Sequence, residues 1–472
     1  MGEGVLNGSR RAGAGAGAGA DRDTEGMEGA RRDASAPASE AGAHTAGFHR
    51  HEGTLLCERV PLEQLATAVG TPAYVYSAGA IRAQYATLAG AFASVPHRLH
   101  YSVKANSNLA ILGLLRELGG GVDIVSGGEL YRALRAGFTG PDVVFSGVGK
   151  TTAEMREALA AGVRLFNVES EGELERLEAV AAARGVVAPV ALRVNPDVTV
   201  DTPHPYTRTG EKGMKFGIPW DRADAVGARA LAMRHVRLEG LDMHIGSQIA
   251  LTEPYLLGLQ RLLELLERLR AAGATSLRTL DIGGGLAVSY EDDEPMDVSR
   301  FATAVVQAIA PTGLELIIEP GRYLVGNAGL LLTRVIDRKH SGGKEFIITD
   351  AGMNDLLRPS HYDAYHRIEP VTPREGAPVI VDVVGPVCES GDFLGLDRRM
   401  PDARPGDLLA LYSAGAYGFV MSSNYNTRPR AAEVLVDGAR WAVVREREDY
   451  ADLVRHEELA LPPAWRDACA SD

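Results

Sequence analysis

The stretch RLHYSVKA at residues 98–105 reads as a buried strand, with Leu99, Tyr101 and Val103 alternating with His100, Ser102 and Lys104 on opposite faces. Seven further short runs follow at 121–126, 142–147, 165–170, 189–196, 238–247, 279–285 and 315–321. Helical patterns separate them, among others at 109–118, 153–161 and 254–272, the last with leucines at 256, 257, 259, 262, 263, 265 and 266. Strands alternating with amphipathic helices are the pattern of a parallel α/β fold. Eight such units over roughly 225 residues match the size of a (β/α)8 TIM barrel.

Beyond residue 323 strand-like runs take over, at 330–336, 345–350, 379–384, 408–413 and 433–444. The last holds Asp437 and Gly438 between two apolar runs, which predicts a two-residue hairpin loop. The expected organisation is an α/β chain with a barrel over 77–321. An all-β sandwich or barrel-like domain is built from 322–460 together with 47–76. Residues 1–46, with Gly and Ala alternating across 12–20, predict a disordered tail, and 461–472 a second one.

Bulk properties narrow the function. A hydrophobic share of 45% beside 24% charged residues supplies sizeable cores and excludes disorder throughout. The net charge of −13 and the absence of a basic stripe argue against a nucleic-acid partner. Cys57, Cys388 and Cys469 are too few and too scattered for a disulfide framework or a zinc site. Neither an apolar run of about 18 residues nor the apolar core of a secretory signal is present. The expectation is a cytoplasmic protein with no membrane partner and no metal.

Several residues carry chemistry. By alternation Lys104 points into the barrel near the C-terminal end of its strand, where barrel enzymes keep their active sites. A snorkelling or ion-paired lysine is the ordinary reading; the functional one is a Schiff-base lysine whose pKa burial depresses. Strand ends seven and eight bear Gly283, Gly284 and Gly285, then Glu319, Gly321 and Arg322, at the recurrent phosphate-binding position of this fold. A lone His244 is more often a satisfied core residue, but it shares this rim with Lys104, which favours a ring stacked on a flat cofactor. Ser247 is either a phosphate donor or a helix cap. Three later loops, at 350–366, 385–395 and 415–430, hold Arg358, Tyr362, Cys388, Glu389 and Tyr417, polar residues that a sandwich does not need for packing. Cys388 also reads as a small buried hydrophobe.

The stretches YSVKANSN (101–108), HIGSQI (244–249), DIGGGLAVSY (281–290), EPGRYLVGNAG (319–329), DAGMNDLLRPSHYDAYH (350–366), GPVCESGDFLG (385–395) and YNTRPRAAEVLV (425–436) resemble, in order and spacing, those of the diaminopimelate decarboxylase family. This is one of the barrel-type, fold type III decarboxylases that use pyridoxal 5'-phosphate (PLP). The resemblance covers about 48–458. It implies a homodimer whose active sites are shared between subunits, with Lys104 carrying the cofactor, His244 stacking on its ring and Glu319 pairing with the ring nitrogen. Ser247, Gly284, Gly285, Gly321, Arg322 and Tyr417 would hold the phosphate end. Arg322, Arg358, Tyr362 and Tyr417 would bind the amino-acid substrate's far carboxylate, Glu389 its far ammonium, and Cys388 would return a proton to carbon after CO2 leaves.

The implied reaction is meso-2,6-diaminopimelate to L-lysine and CO2, the last step of lysine biosynthesis. Decarboxylation of ornithine, arginine or carboxynorspermidine is the alternative, as is an inactive PLP-binding relative. A diamine tail asks only for acidic partners, whereas a distal amino acid asks for an anion clamp and an acid, and two arginines with Glu389 supply that mix. The loop at 204–218 departs from the family pattern: Met214 stands where a serine is expected before Lys215 and Phe216, which bears on loop closure.

Overall fold

The computed structural model describes residues 46–457, except 201, 203, 205–212 and 292. Eight parallel strands form the barrel: His97–Ser102, Gly121–Ile124, Val143–Phe145, Leu165–Val168, Ala188–Asn195, Val236–Asp242, Thr279–Asp281 and Glu315–Ile318, called barrel strands 1 to 8 below. Each pairs with the next, and strand 8 closes on strand 1 with Ile318 opposite Leu99. The expected tails, residue 46 apart, lie outside the described residues.

Capping residues set where several strands stop. Ser126 and Ser170 accept the N–H groups of Glu129 and Glu173, and Thr151 forms a capping box with Glu154, so each following helix starts at once. The sequence-based strands 2, 3 and 4 therefore overrun by two residues each, and strands 5 and 6 overrun by one and by five, where polar and glycine residues have already left the ladder. Helices match more closely. The patterns at 109–118, 153–161 and 254–272 correspond to Leu109–Glu117, Thr152–Ala161 and Glu253–Ala271. The last buries Leu259, Leu262, Leu265, Leu266 and Leu269 and leaves Leu257 exposed, a face at helical spacing.

The pleat sorts the barrel residues into layers. Leu99, Tyr101, Val122, Ile124, Val190 and Leu192 belong to the core shared with the surrounding helices. Val144, Leu165, Ala191 and Ile317 form a separate apolar cluster inside the barrel. Two residues further along the same strands stand Ser146, Asn167, Arg193 and Glu319, which therefore face the same interior one layer nearer the C-terminal mouth. An apolar plug thus supports a polar rim.

The second domain is a branched nine-stranded sheet. Its main path runs Phe393–Met400, Val379–Val384, Lys344–Thr349, Gly329–Ser341, Ala73–Ser77, Ala432–Asp437 and Arg440–Arg445, with Leu408–Leu411 beside Gly329–Ser341 and Ile368–Pro370 beyond it. Ala73–Ser77 lies antiparallel to Gly329–Ser341 and parallel to Ala432–Asp437. In the terminal hairpin Asp437 pairs with Arg440, so the turn is Gly438, at φ 66°, and Ala439, one residue later than expected. A small sheet of Phe48–His51, Thr54–Cys57 and Val60–Pro61 packs Leu55, Cys57 and Val60 on Val75, Leu330 and Leu332 of the large one. Among the described residues no helix is long and apolar enough to cross a membrane.

One buried ion pair ties strands 3 and 4 together near the mouth. Lys150 Nζ donates to the carbonyls of Gly147 and Asn167, at 2.8 and 2.7 Å, and to Glu173 Oε1 at 2.8 Å. Removing the carboxylate strands an ammonium in the core, so Glu173→Leu should cost about 3–5 kcal/mol. The double variant Lys150→Met/Glu173→Leu should recover part of that loss. Denaturant titration measures both, and a neutral single variant would sink this account.

Candidate active site

Lys104 does not lie on strand 1. The strand ends at Ser102, and a 3-10 turn, Val103–Ala105, takes the chain out of the alternation from which the lysine's direction was read. The turn is held by the second domain: the Tyr417 N–H donates to the Ala105 carbonyl at 2.8 Å, and the Asn106 amide to the Gly415 carbonyl at 3.1 Å. Lys104 nevertheless reaches the mouth, where Nζ donates to Asp123 Oδ2 at 2.9 Å. Ser102 Oγ donates to the same oxygen at 3.0 Å.

A cavity opens there, lined by Ser102, Lys104, His244, Ser247, Gly285, Leu286, Glu319, Gly321, Arg322, Tyr323 and Tyr417. Eight expected site residues from five separate segments meet in it. Gly284 sits behind them: its N–H donates to His244 Nδ1 at 3.2 Å, and any Cβ there would collide with the Glu319 carbonyl. Gly283 and Gly285 adopt φ of 68° and 94°, a region glycine enters without strain. Tyr255, buried beneath the turn, donates its hydroxyl to the Gly284 carbonyl at 2.7 Å.

Charge in this rim differs from expectation. Burial draws the Lys104 amine down, but the carboxylates of Asp123 and Glu319 outweigh it and raise its pKa above the ordinary lysine value. The predicted depression is thus reversed, because the sequence did not reveal Asp123 as a partner. The side chain keeps 37% exposure, so solvent tempers both influences. Burial raises Glu319 strongly, with Asp123 and Asp281 adding to the rise while Lys104 and Arg193 oppose it. Its Oε1 accepts from Ser146 Oγ and Asn167 Nδ2, each at 3.3 Å. Burial, then Arg193 and Lys104, lowers His244 well below the usual imidazole range, so the ring is neutral. With Nδ1 accepting from Gly284, its proton belongs on Nε2.

The remaining expected residues lie elsewhere. Arg358 is buried and reaches the rim through Tyr290, whose hydroxyl accepts from Arg358 Nη1 at 2.6 Å and also from Arg322 Nη1. Tyr362 stacks edge-on with His204 and His361. Cys388 is exposed, on a loop braced by Asp392, and its N–H donates to Asn426 Oδ1 at 2.8 Å. Neither Cys388 nor Glu389 lines the cavity within one chain. Met214 is 38% exposed, and most of the loop around it lies outside the described residues. Sequence reasoning missed Asp123, Asp242, Asp281, Arg193 and Tyr290. A signal existed for the first four: each is a charged residue in the closing positions of a barrel strand, where the side chain can face the mouth.

Residues 78–326 match the profile of the pyridoxal-dependent decarboxylase, pyridoxal binding domain. A diaminopimelate decarboxylase of Pseudomonas aeruginosa is 53% identical over 412 residues, covering 87% of this chain and 99% of that protein. The chain belongs to the diaminopimelate decarboxylase family. A Vibrio cholerae member is 49% identical, across 86% of this chain and 97% of its own length. The Helicobacter pylori diaminopimelate decarboxylase solved with L-lysine superposes at a TM-score of 0.81, with 40% identity over 84% of this chain and 98% of that one. The M. jannaschii diaminopimelate decarboxylase, also solved with L-lysine, reaches 0.84 at 34% identity over 89% and 99%.

The residues present fit the family's cofactor. Arg322 Nε is buried without a hydrogen-bond partner at the phosphate end, beside Ser247 and the glycine turns. Glu319, with its carboxyl pKa raised by burial, and the His244 ring, its pKa lowered by burial, also line the cavity.

Replacing Asp123 by Asn removes the nearest charge holding the Lys104 proton. In protein freed of cofactor, reductive methylation of Lys104, followed by peptide mass mapping, should begin at lower pH in Asp123→Asn than in wild type. An identical pH dependence would overturn the pairing.

Proposed function

We propose that the chain decarboxylates meso-2,6-diaminopimelate at its D-configured centre, giving L-lysine and CO2, with PLP carried on Lys104. The observation that supports this substrate is the pair Arg322 and Arg358. Arg322 lines the cavity and Arg358 is joined to it through Tyr290, and among the described residues neither has a carboxylate within ion-pair distance. Two cations without an acid ask for an anion from the substrate, and a planar fork matches a carboxylate. A simple diamine cannot supply it. The L-lysine bound by the H. pylori and M. jannaschii relatives carries such a group.

Bound PLP supplies an electron sink for the pair left behind when the substrate carboxylate departs as CO2. This chain's residues do the rest. Lys104 presents the amine at the mouth, and the neutral ring of His244 gives a flat wall. Glu319, whose surroundings favour a proton, holds that proton at the ring-nitrogen end. Ser247, Gly285, Gly321, Arg322 and Tyr417 direct hydroxyl, guanidinium and backbone N–H donors to the phosphate, and Gly284 shapes the turn behind them through its bond to His244. Arg322, Arg358, Tyr362 and Tyr417 orient the distal carboxylate, and Glu389 the distal ammonium. The Cys388 thiol protonates the carbon from which CO2 left.

Cys388 and Glu389 lie away from their own barrel's cavity, which supports a homodimer in which a second copy's loop completes each site. The same reading takes 77–321 as the cofactor barrel, 47–76 with 322–460 as the sheet domain, and the cytoplasm as the location. The free thiols of Cys57 and Cys388 support that compartment.

The decisive assay is CO2 release from meso-diaminopimelate beside ornithine and arginine; faster turnover of either of the latter overturns the substrate. Lys104→Ala should lose the visible absorption of lysine-bound cofactor. Arg358→Ala should raise KM for diaminopimelate by a factor of about 100 or more, given what an unpaired buried ion costs. Mixing inactive Lys104→Ala with Cys388→Ala should restore activity to about a quarter through exchanged dimers, whereas no recovery after verified subunit exchange rules out the shared site.

A further inference from the structure

Tyr290 belongs to no strand, yet it sits at the centre of the arginine pair. Its side chain is buried, with 8% exposure. Its hydroxyl oxygen accepts from Arg322 Nη1 and from Arg358 Nη1. Both guanidinium carbons also lie over its ring, at 5.7 and 4.8 Å from the centroid. The residue is fixed in turn: its backbone N–H donates to Asp293 Oδ1 at 2.9 Å, and His366 packs edge-on against its ring at 5.5 Å. The preceding carbonyl, of Ser289, accepts from Asn327 Nδ2 at 3.2 Å.

Two buried like charges repel, and the Arg322 charge is among the influences that lower Arg358, after burial itself. Something on the protein must hold them together until an anion arrives. Burial raises the Tyr290 phenol, but the two guanidiniums outweigh it and bring its pKa below the ordinary tyrosine value, a sign of how strongly the oxygen is engaged by both cations. Tyr290 also stands five residues beyond Gly285, on the loop that begins with the glycine turn. One backbone segment therefore links the phosphate end of the cavity to the arginine pair.

We propose that Tyr290 is the positioning residue of the carboxylate clamp: its hydroxyl oxygen holds Arg322 and Arg358 side by side, at a spacing set by the glycine-turn loop, so that both meet one carboxylate of an amino-acid ligand. This rests on the reading of the two arginines as a carboxylate site. Tyr290→Phe keeps the ring beneath both cations and removes only the oxygen.

The test compares L-lysine with cadaverine, which differ by one carboxylate, in calorimetric titrations of wild-type and Tyr290→Phe holoenzyme. The variant should bind lysine about tenfold more weakly, the cost of a lost hydrogen bond to a charged group, while cadaverine affinity stays within a factor of about two. In turnover, KM for diaminopimelate should rise by a similar factor, several times more than kcat falls. Unchanged lysine affinity, equal losses for both ligands, or a wild type that does not prefer lysine to cadaverine each overturn the proposal. If the wild type leaves diaminopimelate intact but Tyr290→Phe still loses lysine selectively, the decarboxylase reading fails and the clamp assignment stands.

Discussion

The chain's active end is governed by an imbalance of charge inside the barrel mouth. Asp123, Asp242, Asp281 and Glu319 are all buried in that layer, against the cations of Lys104 and Arg193. Burial raises Asp242, Asp281 and Glu319, and each carboxyl is pushed further by another of the set. Such a layer is comfortable only if some acids keep their protons or a cationic group comes to share them. The apolar plug of Val144, Leu165, Ala191 and Ile317 makes the imbalance possible, because it seals the interior below and leaves solvent access only at the mouth.

A single turn then converts this electrostatic layer into a shaped site. The turn Gly283 to Gly285 lines the cavity with Gly285, orients His244 through the Gly284 N–H, and lies so close to the Glu319 carbonyl that no side chain fits at Gly284. The phenol of Tyr255 fixes the turn from the helix side. The orientation of His244 and the approach of the Glu319 backbone are therefore set by the same few peptide units.

Legibility followed the physics of each element. Barrel strands and helices were readable because burial on two faces or one face writes a period into the sequence, and the eight βα units needed nothing further. Strand ends were not, since residues such as His244 and Ser247 look like strand continuation until a capping residue or glycine removes them from the ladder. Lys104 was placed at the right end of the barrel by an alternation that stops two residues before it. Its raised pKa was invisible because Asp123 comes from a neighbouring strand, and pairing across strands leaves no local mark. Tyr290 was missed for a related reason: a tyrosine after a glycine turn looks like ordinary packing, and its meaning comes from two arginines that lie 32 and 68 residues away in the chain.

The strand Ala73–Ser77 precedes the barrel in the chain but is laid between two strands that follow it, Gly329–Ser341 and Ala432–Asp437. On the ribosome it emerges roughly 250 residues before its first neighbour and roughly 360 before its second. Throughout synthesis of the barrel it is an apolar ribbon with both hydrogen-bonding edges open, the condition that invites wrong pairing between nascent chains. Late arrival of the strand Ala432–Asp437 closes the second edge, so the ribbon's exposure ends only after the whole barrel has been made.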